Sequence, residues 1–370
     1  MRILSVNAGS SSLKLSLTGD QDETIAEHEL PAPQSRIDPA ELARVLDGPL
    51  GDADAVAHRI VHGGERFREA VRIDAGVTDE LRRLTDLAPL HQPKSLAALE
   101  AVNERLPAVP AVACFDTAFH ATLPPAAFTY ALPARWRERW GLRRFGFHGL
   151  SHSWVARRAP ELLHGRSKIG RLVSCHLGAG ASLCAIADGR SQDTTMGFTP
   201  LEGLVMATRS GSVDPGMLLW LLEREAVSER EMAEALEHAS GLAGLAGSAD
   251  MQAVLAAAER DEPVAVLAID VYLHHLRAGI AAMAAALGGI DVLVFTGGVG
   301  EHSPAIRART ADGLGFLGVR VDPAANAAPG GDAEITDGGG LVRTLVLQAR
   351  EDLEMARQAV VVLTRPDTAA

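Results

Sequence analysis

Aromatic side chains are scarce in this chain: nine Phe, four Trp and two Tyr, 4% of 370 residues. A surface that stacks successive bases needs more of them. Basic charge is also in deficit, with 35 Lys and Arg against 47 Asp and Glu, for a net charge of −12. Affinity for a nucleic-acid backbone rests on a positive footprint that displaces counterions, so no nucleic-acid partner is expected. A phosphate ligand would have to be met by a few focused cations and by backbone N–H groups. Cysteine is rare: Cys114, Cys175 and Cys184 form no CxxC pair, which argues against a disulfide framework or a zinc ribbon. A long run without a charged residue, 172–187, is too short and too polar to cross a bilayer. Residues 1–7 enter an alternating strand pattern directly, without the layout of a signal peptide. The expectation is a reduced, soluble, cytoplasmic protein with no membrane contact.

What is present points to an α/β protein. At roughly 150 residues per domain the length corresponds to about two domains. Residues 3–6, 55–61, 109–115, 172–175, 292–296 and 341–347 read as short strands. Several are apolar on both faces, as in a sheet covered by helices. Helix starts are marked by Asp38-Pro39-Ala40-Glu41, by Asp214-Pro215 ahead of residues 217–225, and by the capping box Ser228-Glu229-Arg230-Glu231. A long alanine-rich helix over 264–287 breaks at Gly288-Gly289. One segment is echoed. Ile3-Leu4-Ser5-Val6-Asn7-Ala8-Gly9-Ser10-Ser11-Ser12-Leu13 resembles Leu172-Val173-Ser174-Cys175-His176-Leu177-Gly178-Ala179-Gly180-Ala181-Ser182-Leu183, with one residue inserted in the second copy. Two readings stand: a coincidence of glycine-rich hairpins, or two related halves that each present a turn to a ligand cleft.

Between Asn7 and Lys14, small residues would let backbone N–H groups approach an anion, hydroxyls add donors, and Lys14 brings mobile charge. A plain polar hairpin would look similar, and the Walker A order is absent. Asn7 offers an oxygen to a magnesium ion, directly or through water. A second turn is His176-Leu177-Gly178-Ala179-Gly180. A third, Thr296-Gly297-Gly298-Val299-Gly300-Glu301-His302, follows an apolar strand and precedes a helical pattern from Ser303-Pro304. Strand, glycine turn and helix start is the geometry that brings helix amides to phosphate. The GxGxxG spacing of a dinucleotide site is missing. Arg59 ends a strand shortly before Gly63-Gly64, and Arg209 precedes a helix. Each alone reads as a strand-end or surface cation; in one cleft they would clamp a carboxylate and a phosphoryl group. Asp116, just past an apolar strand, is suited to bind a metal, orient a nucleophile or cap a turn. His148 sits among Gly146, Phe147 and Gly149, which favours a functional role. Neither HExxH nor GxSxG occurs.

Taken in order, residues 7–14, 58–65, 87–91, 115–120, 145–152, 176–180, 199–203, 208–215 and 295–301 resemble the acetate kinase family, from residue 3 to about residue 356. That family belongs to the acetate and sugar kinase, heat-shock 70 and actin superfamily. The resemblance implies two duplicated ribonuclease H-like (actin-like ATPase) domains with an interdomain cleft. The first would be 1–119 with a returning helix, 353–370; the second, nucleotide-binding domain would be 120–352. It implies reversible transfer of the ATP γ-phosphoryl group to acetate, giving acetyl phosphate and ADP, with Mg²⁺ (or Mn²⁺), in a homodimer. By matching positions, Arg59, Asp116, His148 and Arg209 would be catalytic, and Asn7 and Glu351 would serve the metal. Lys14, Ser10, Ser12, His176, Leu177, Gly178, Ala179 and Gly180 would lie near the phosphates. Asp250, Met251, Gln252, Gly297, Gly298, Val299 and Gly300 would line the adenosine side. Arg59 would also meet the acetate carboxylate, while Val61, Leu90, Phe147 and Pro200 would enclose its methyl group.

Several positions depart from the family's usual residues. Ala179 stands for asparagine, Ser212 for aspartate and His302 for asparagine; Ala349-Arg350-Glu351-Asp352 replaces Thr-Asn-Glu-Glu, and Asp250-Met251-Gln252 replaces Asp-Phe-Arg. The principal charged residues are intact, which speaks against a non-catalytic nucleotide-binding homologue. A propionate or butyrate kinase is the other alternative.

Overall fold

Strand pairing follows one plan twice. A computed structural model of the chain describes residues 1–9, 12–32, 37–87, 92–163 and 169–365. It divides into two units: Met1–Ala121 with Phe147–Trp154 and Arg350–Ala370, and Thr122–Gly146 with Val155–Ala349. The segment Phe147–Trp154 therefore groups with the first unit, whereas the sequence reading placed it in the second domain.

In the first unit, β1 (Ile3–Ala8), β2 (Ser12–Thr18) and β3 (Thr24–Pro31) form an antiparallel meander. β4 (Ala55–Ile60) lies parallel to β1, β5 is the short pair Val71–Arg72, and β6 (Ala111–Phe115) lies parallel to β4. The spatial order is β3-β2-β1-β4-β6-β5. Alternation along each strand sorts the faces. Leu4, Val6, Leu13, Leu15 and Leu17 pack with Leu42, Val45 and Leu46 of the helix Pro39–Leu46 and with Ala98 and Val102 of Gln92–Arg105. On the other face Ile3, Ala55, Ala57 and Val112 meet Met355, Ala356 and Ala359 of the helix Glu351–Thr364. The alanines on both sides let that helix lie close to the sheet.

The second unit repeats the plan. β7 (Arg171–Leu177), β8 (Ala181–Ala187) and β9 (Arg190–Thr194) form the meander. β10 (Val292–Thr296) runs parallel to β7, β11 is Ala333–Glu334, and β12 (Arg343–Val346) runs parallel to β10. The order β11-β12-β10-β7-β8-β9 matches the first sheet read in the opposite direction. The echo is thus a structural duplication. The sequence reading put the extra residue in the second copy, but the strand pairing puts it in the first hairpin: Ala8 pairs with Leu13, while Leu177 already pairs with Ala181.

The helix signals behave as their chemistry requires. Asp38 accepts from the Ala40 and Glu41 amides, and Ser228 from the Glu231 amide. The helix Pro263–Ala286 is long and apolar enough to cross a membrane by length and composition alone. Its buried residues Ala265, Ala268, Ile269, Tyr272, Leu273, Leu276, Ile280 and Met283 recur at helical spacing, and it packs on β7 and β8. The sequence reading did not mark β3, whose alternating Thr-Ile-Ala-Glu-His-Glu-Leu-Pro is mostly solvated, as an edge strand is.

Candidate active site

Asn7 lies near the carboxyl end of β1, Arg59 near that of β4, and Asp116 just past that of β6. These parallel ends are where ligands bind in open α/β sheets. Glu351 joins them from the first turn of its helix. The four side chains interlock. Arg59 Nε donates to both Asp116 oxygens at 3.1 and 3.2 Å, and Nη2 donates to Oδ2 at 2.6 Å. Arg59 Nη1 donates to Asn7 Oδ1 at 3.0 Å and lies 3.8 Å from Glu351 Oε2. Asn7 Nδ2 donates to that same Glu351 oxygen at 3.0 Å. The Asp116 side chain is 1% exposed and that of Arg59 17%. Burial pushes the Asp116 carboxyl above its usual range against the pull of Arg59, and the Glu351 charge adds to the push. Burial also works against the Arg59 charge, but Asp116 and Glu351 outweigh it and hold the guanidinium protonated.

The metal assignment fits in part. The Asn7 oxygen accepts from Arg59 and its amide donates to Glu351 Oε2, so of the two side chains it is Glu351, 14% exposed, that has a second oxygen to offer a cation's water shell. Among the described residues no three His, Cys, Asp or Glu gather into a metal cage. Mg²⁺ needs no such cage, since it typically takes one or two carboxylates together with waters and substrate phosphates. Lys14 and Ser12 are engaged locally. Lys14 is opposite Asn7 in the β1–β2 register, but its ammonium lies 3.9 Å from Glu29, with the side chain 65% exposed. Ser12 Oγ donates to the same Glu29. Ser10 and Leu90 lie outside the described residues.

Behind Asp116, the Gly149 amide donates to the Asp116 carbonyl at 2.8 Å. A Cβ at position 149 would stand 2.1 Å from that oxygen, so only glycine permits the approach. His148, one residue earlier, is held at φ +56°, a left-handed conformation that is strained for a side chain of this size. Phe147 is buried edge-on to His62, with ring centroids 5.5 Å apart, and its carbonyl is 3.0 Å from His120 Nε2. Val61 is buried beside this segment's neighbour His62 in the chain. Burial pushes the His58 and His62 imidazoles down to about 4.

In the second unit, Arg209 Nη1 donates to the Pro200 carbonyl at 2.8 Å. Among the described residues no carboxylate forms an ion pair with it. Burial lowers its pKa, with the charge of Glu237 opposing. The loop carrying Pro200 is braced by groups the sequence reading missed. Tyr130 Oη donates to Glu202 and accepts from the Phe198 amide, while Arg144 reaches Glu202 at 2.8 Å and the Met196 carbonyl at 2.9 Å. No spacing rule pointed to them, because two of the four contacts end on backbone.

The second turn is closed by Gly178 donating to Gly180 at 3.0 Å and by Ala207 donating to Ala179 at 3.0 Å. His176 is half-buried on β7 beside Thr296 of β10, and Leu177 is buried. The third turn differs from expectation. Residues Gly297–His302 are themselves a short helix, beginning directly at Thr296, with a second helix from Pro304. Its first amide, Gly297, donates to Glu301 Oε1 at 3.0 Å, and the Ala349 amide reaches the same oxygen at 2.9 Å. Gly300 is buried, Val299 half-buried, and open space surrounds the Cβ position of Gly298. Asp250 caps the helix Met251–Glu259 by accepting from the Gln252 amide at 2.9 Å; Met251 is buried and Gln252 exposed.

Comparison with known proteins converges on one family. The model of the acetokinase family matches residues 42–357. The acetate kinase of Trichormus variabilis is 46% identical over 319 residues, which cover 86% of this chain and 78% of that one. The chain belongs to the acetokinase family. Among solved structures, the acetate kinase of Porphyromonas gingivalis superposes with a TM-score of 0.88 at 32% identity, covering 98% of this chain and all of that one (100%). A propionate kinase from Francisella tularensis gives 0.89 at 31% identity, over 96% and 98% of the two chains. The fold is that of the actin-like ATPases, and the acetokinases are phosphotransferases with a carboxyl acceptor. One departure from the family's usual residues has a structural account: Ser212 Oγ accepts from the Gly203 amide at 3.1 Å, and the Ser212 amide returns a bond to the Gly203 carbonyl. A serine there still closes the loop.

Proposed function

We propose that this acetokinase transfers the γ-phosphoryl group of ATP to acetate, reversibly, forming acetyl phosphate and ADP. The observation that carries the reading is the interlocked set Asn7, Arg59, Asp116 and Glu351 at the carboxyl ends of the first sheet. A carboxylate acceptor is already ionised at neutral pH, so the reaction needs little base catalysis. The barrier is the approach of two anions, and positioned cations and hydrogen-bond donors lower it. Arg209, desolvated and without a carboxylate partner, suits the incoming anion. Arg59 suits the orientation of Asp116 and Glu351, with Nη1 nearest the neutral Asn7. His148 would donate to phosphoryl oxygens, its strained backbone fixed by Gly149. Glu351 would hold Mg²⁺ through water. When bound with the nucleotide, Mg²⁺ supplies charge neutralisation on the phosphates.

Open space at Gly298 supports a nucleoside on the Gly297–Gly300 segment, hence ATP as donor. A homodimer is supported by the helix Pro215–Glu223, which buries none of its residues and exposes Met217, Leu219 and Trp220. The deciding experiment is acyl hydroxamate formation with ATP, Mg²⁺ and acetate, propionate or butyrate in parallel. Acetate is expected to lead; no acyl phosphate from any acid would overturn the proposal.

A further inference from the structure

Among the described residues, Arg307 is the largest side chain wholly removed from solvent, at 0% exposure. A buried cation ordinarily sits beside a carboxylate. Among the described residues none pairs with Arg307, and burial lowers its pKa. Its N–H groups end on neutral oxygens instead. Nη1 donates to the Gly300 carbonyl at 2.8 Å and the Glu301 carbonyl at 2.7 Å; Nε and Nη2 donate to Asn326 Oδ1 and its carbonyl at 2.8 and 2.6 Å.

Two of these acceptors close the last turn of the helix Gly297–His302. A helix of six residues, three of them glycine, does not hold itself. Its terminal carbonyls need partners, and a cation at that end complements the helix dipole. Arg307 supplies both. The other end is tied by the Glu301 carboxylate to the Gly297 amide. Asn326, in turn, donates to the Pro304 carbonyl at 2.9 Å, so the guanidinium is fixed from behind. Lysine could not replace it, since one ammonium cannot hold two carbonyls on one helix and two oxygens on Asn326 at once.

We propose that Arg307 is a positioning residue for the nucleotide: it holds the Gly297–Gly300 segment in place and so sets nucleotide affinity without touching the ligand. This rests on the reading that the segment faces the adenosine group. The test is ADP affinity by titration calorimetry, with steady-state kinetics, for the full chain, Arg307→Lys and Asn326→Ala. Loss of several charge-assisted hydrogen bonds predicts about a tenfold rise in ADP Kd and ATP KM for Arg307→Lys, and about threefold for Asn326→Ala. The acetate KM and the kcat at saturating ATP should stay within about twofold of wild type. A folded Arg307→Lys with wild-type ADP Kd overturns the proposal, as do equal losses in acetate KM and kcat. If Arg307→Lys does not fold, Asn326→Ala decides: an unchanged ADP Kd overturns it. Wild-type protein that binds ADP but makes no acetyl phosphate would sink the proposed activity and leave this test intact.

Discussion

Arg59 and Arg209 are both withdrawn from solvent, yet their surroundings are opposite. Arg59 is bonded to a buried carboxylate through two nitrogens, with a second carboxylate 3.8 Å away. Arg209 has a single backbone carbonyl at 2.8 Å and no ion-pair partner among the described residues. The same residue type therefore does two jobs. In the first unit the guanidinium neutralises charge the protein itself has buried; in the second it has no buried carboxylate to neutralise, and under the proposed function it meets charge that arrives with a ligand. Burial works against both charges, but Asp116 and Glu351 raise the Arg59 pKa on balance, whereas that of Arg209 stays lowered.

Removing each arginine should separate the jobs. Arg59→Ala leaves Asp116 buried without its cation, a loss typically worth about 3–5 kcal/mol. We expect a Tm lowered by about ten degrees or more together with near-complete loss of acetyl phosphate formation, read by thermal unfolding and a coupled assay. Arg209→Ala should lose on the order of 10²–10³-fold in kcat, by analogy with removal of one transition-state donor. Its Tm should hold or rise, because a desolvated charge without a counter-ion has been removed. If Arg209→Ala unfolds as readily as Arg59→Ala, the contrast between the two sites is wrong.

The contrast was only half legible in the sequence. An apolar run that ends in a charged residue announces a strand delivering that residue to a sheet end, and this put Arg59 and Asp116 each at the end of a strand. The pairing itself was not legible, since Arg59 and Asp116 are brought adjacent by β4–β6 register and Glu351 by a helix that starts some 290 residues after Arg59. Lys14 looked free for phosphate because its partner, Glu29, lies on the solvated strand β3. Arg307, Tyr130 and Glu301 carried no signal at all: their roles come largely from backbone contacts, which side-chain patterns do not encode.

A further property of the first unit is its response to acid. His58 and His62 both belong to the first unit and both are pushed by burial from 6.5 to about 4. The unfolded chain takes up these protons near pH 6.5, the folded one only near 4. Their contribution is therefore complete above pH 6.5, falls as the pH drops toward 4, and is constant below. Each shift corresponds to roughly 3 kcal/mol at the acid end. Tm measured from pH 7.5 to 4 should fall through that window, and His58→Leu should flatten the fall. A Tm profile identical to wild type in His58→Leu would remove that imidazole as an origin of acid lability.

The smallest effect concerns which acid is taken. If Val61 and Phe147 form the methyl wall, the first unit also selects the substrate, and that wall is stiff. Phe147 is 1% exposed, pressed by His62 and fixed at its carbonyl by His120. An added methylene in such a pocket is worth about 1–3 kcal/mol, so kcat/KM should favour acetate over propionate by about tenfold. Val61→Ala removes two methyl groups from the wall without disturbing the Phe147 anchors. It should bring the ratio near one, mainly by improving propionate. An unchanged ratio would mean that the alkyl group is read elsewhere. Substrate selection would then no longer sit beside Arg59, and the first unit would be left with charge alone.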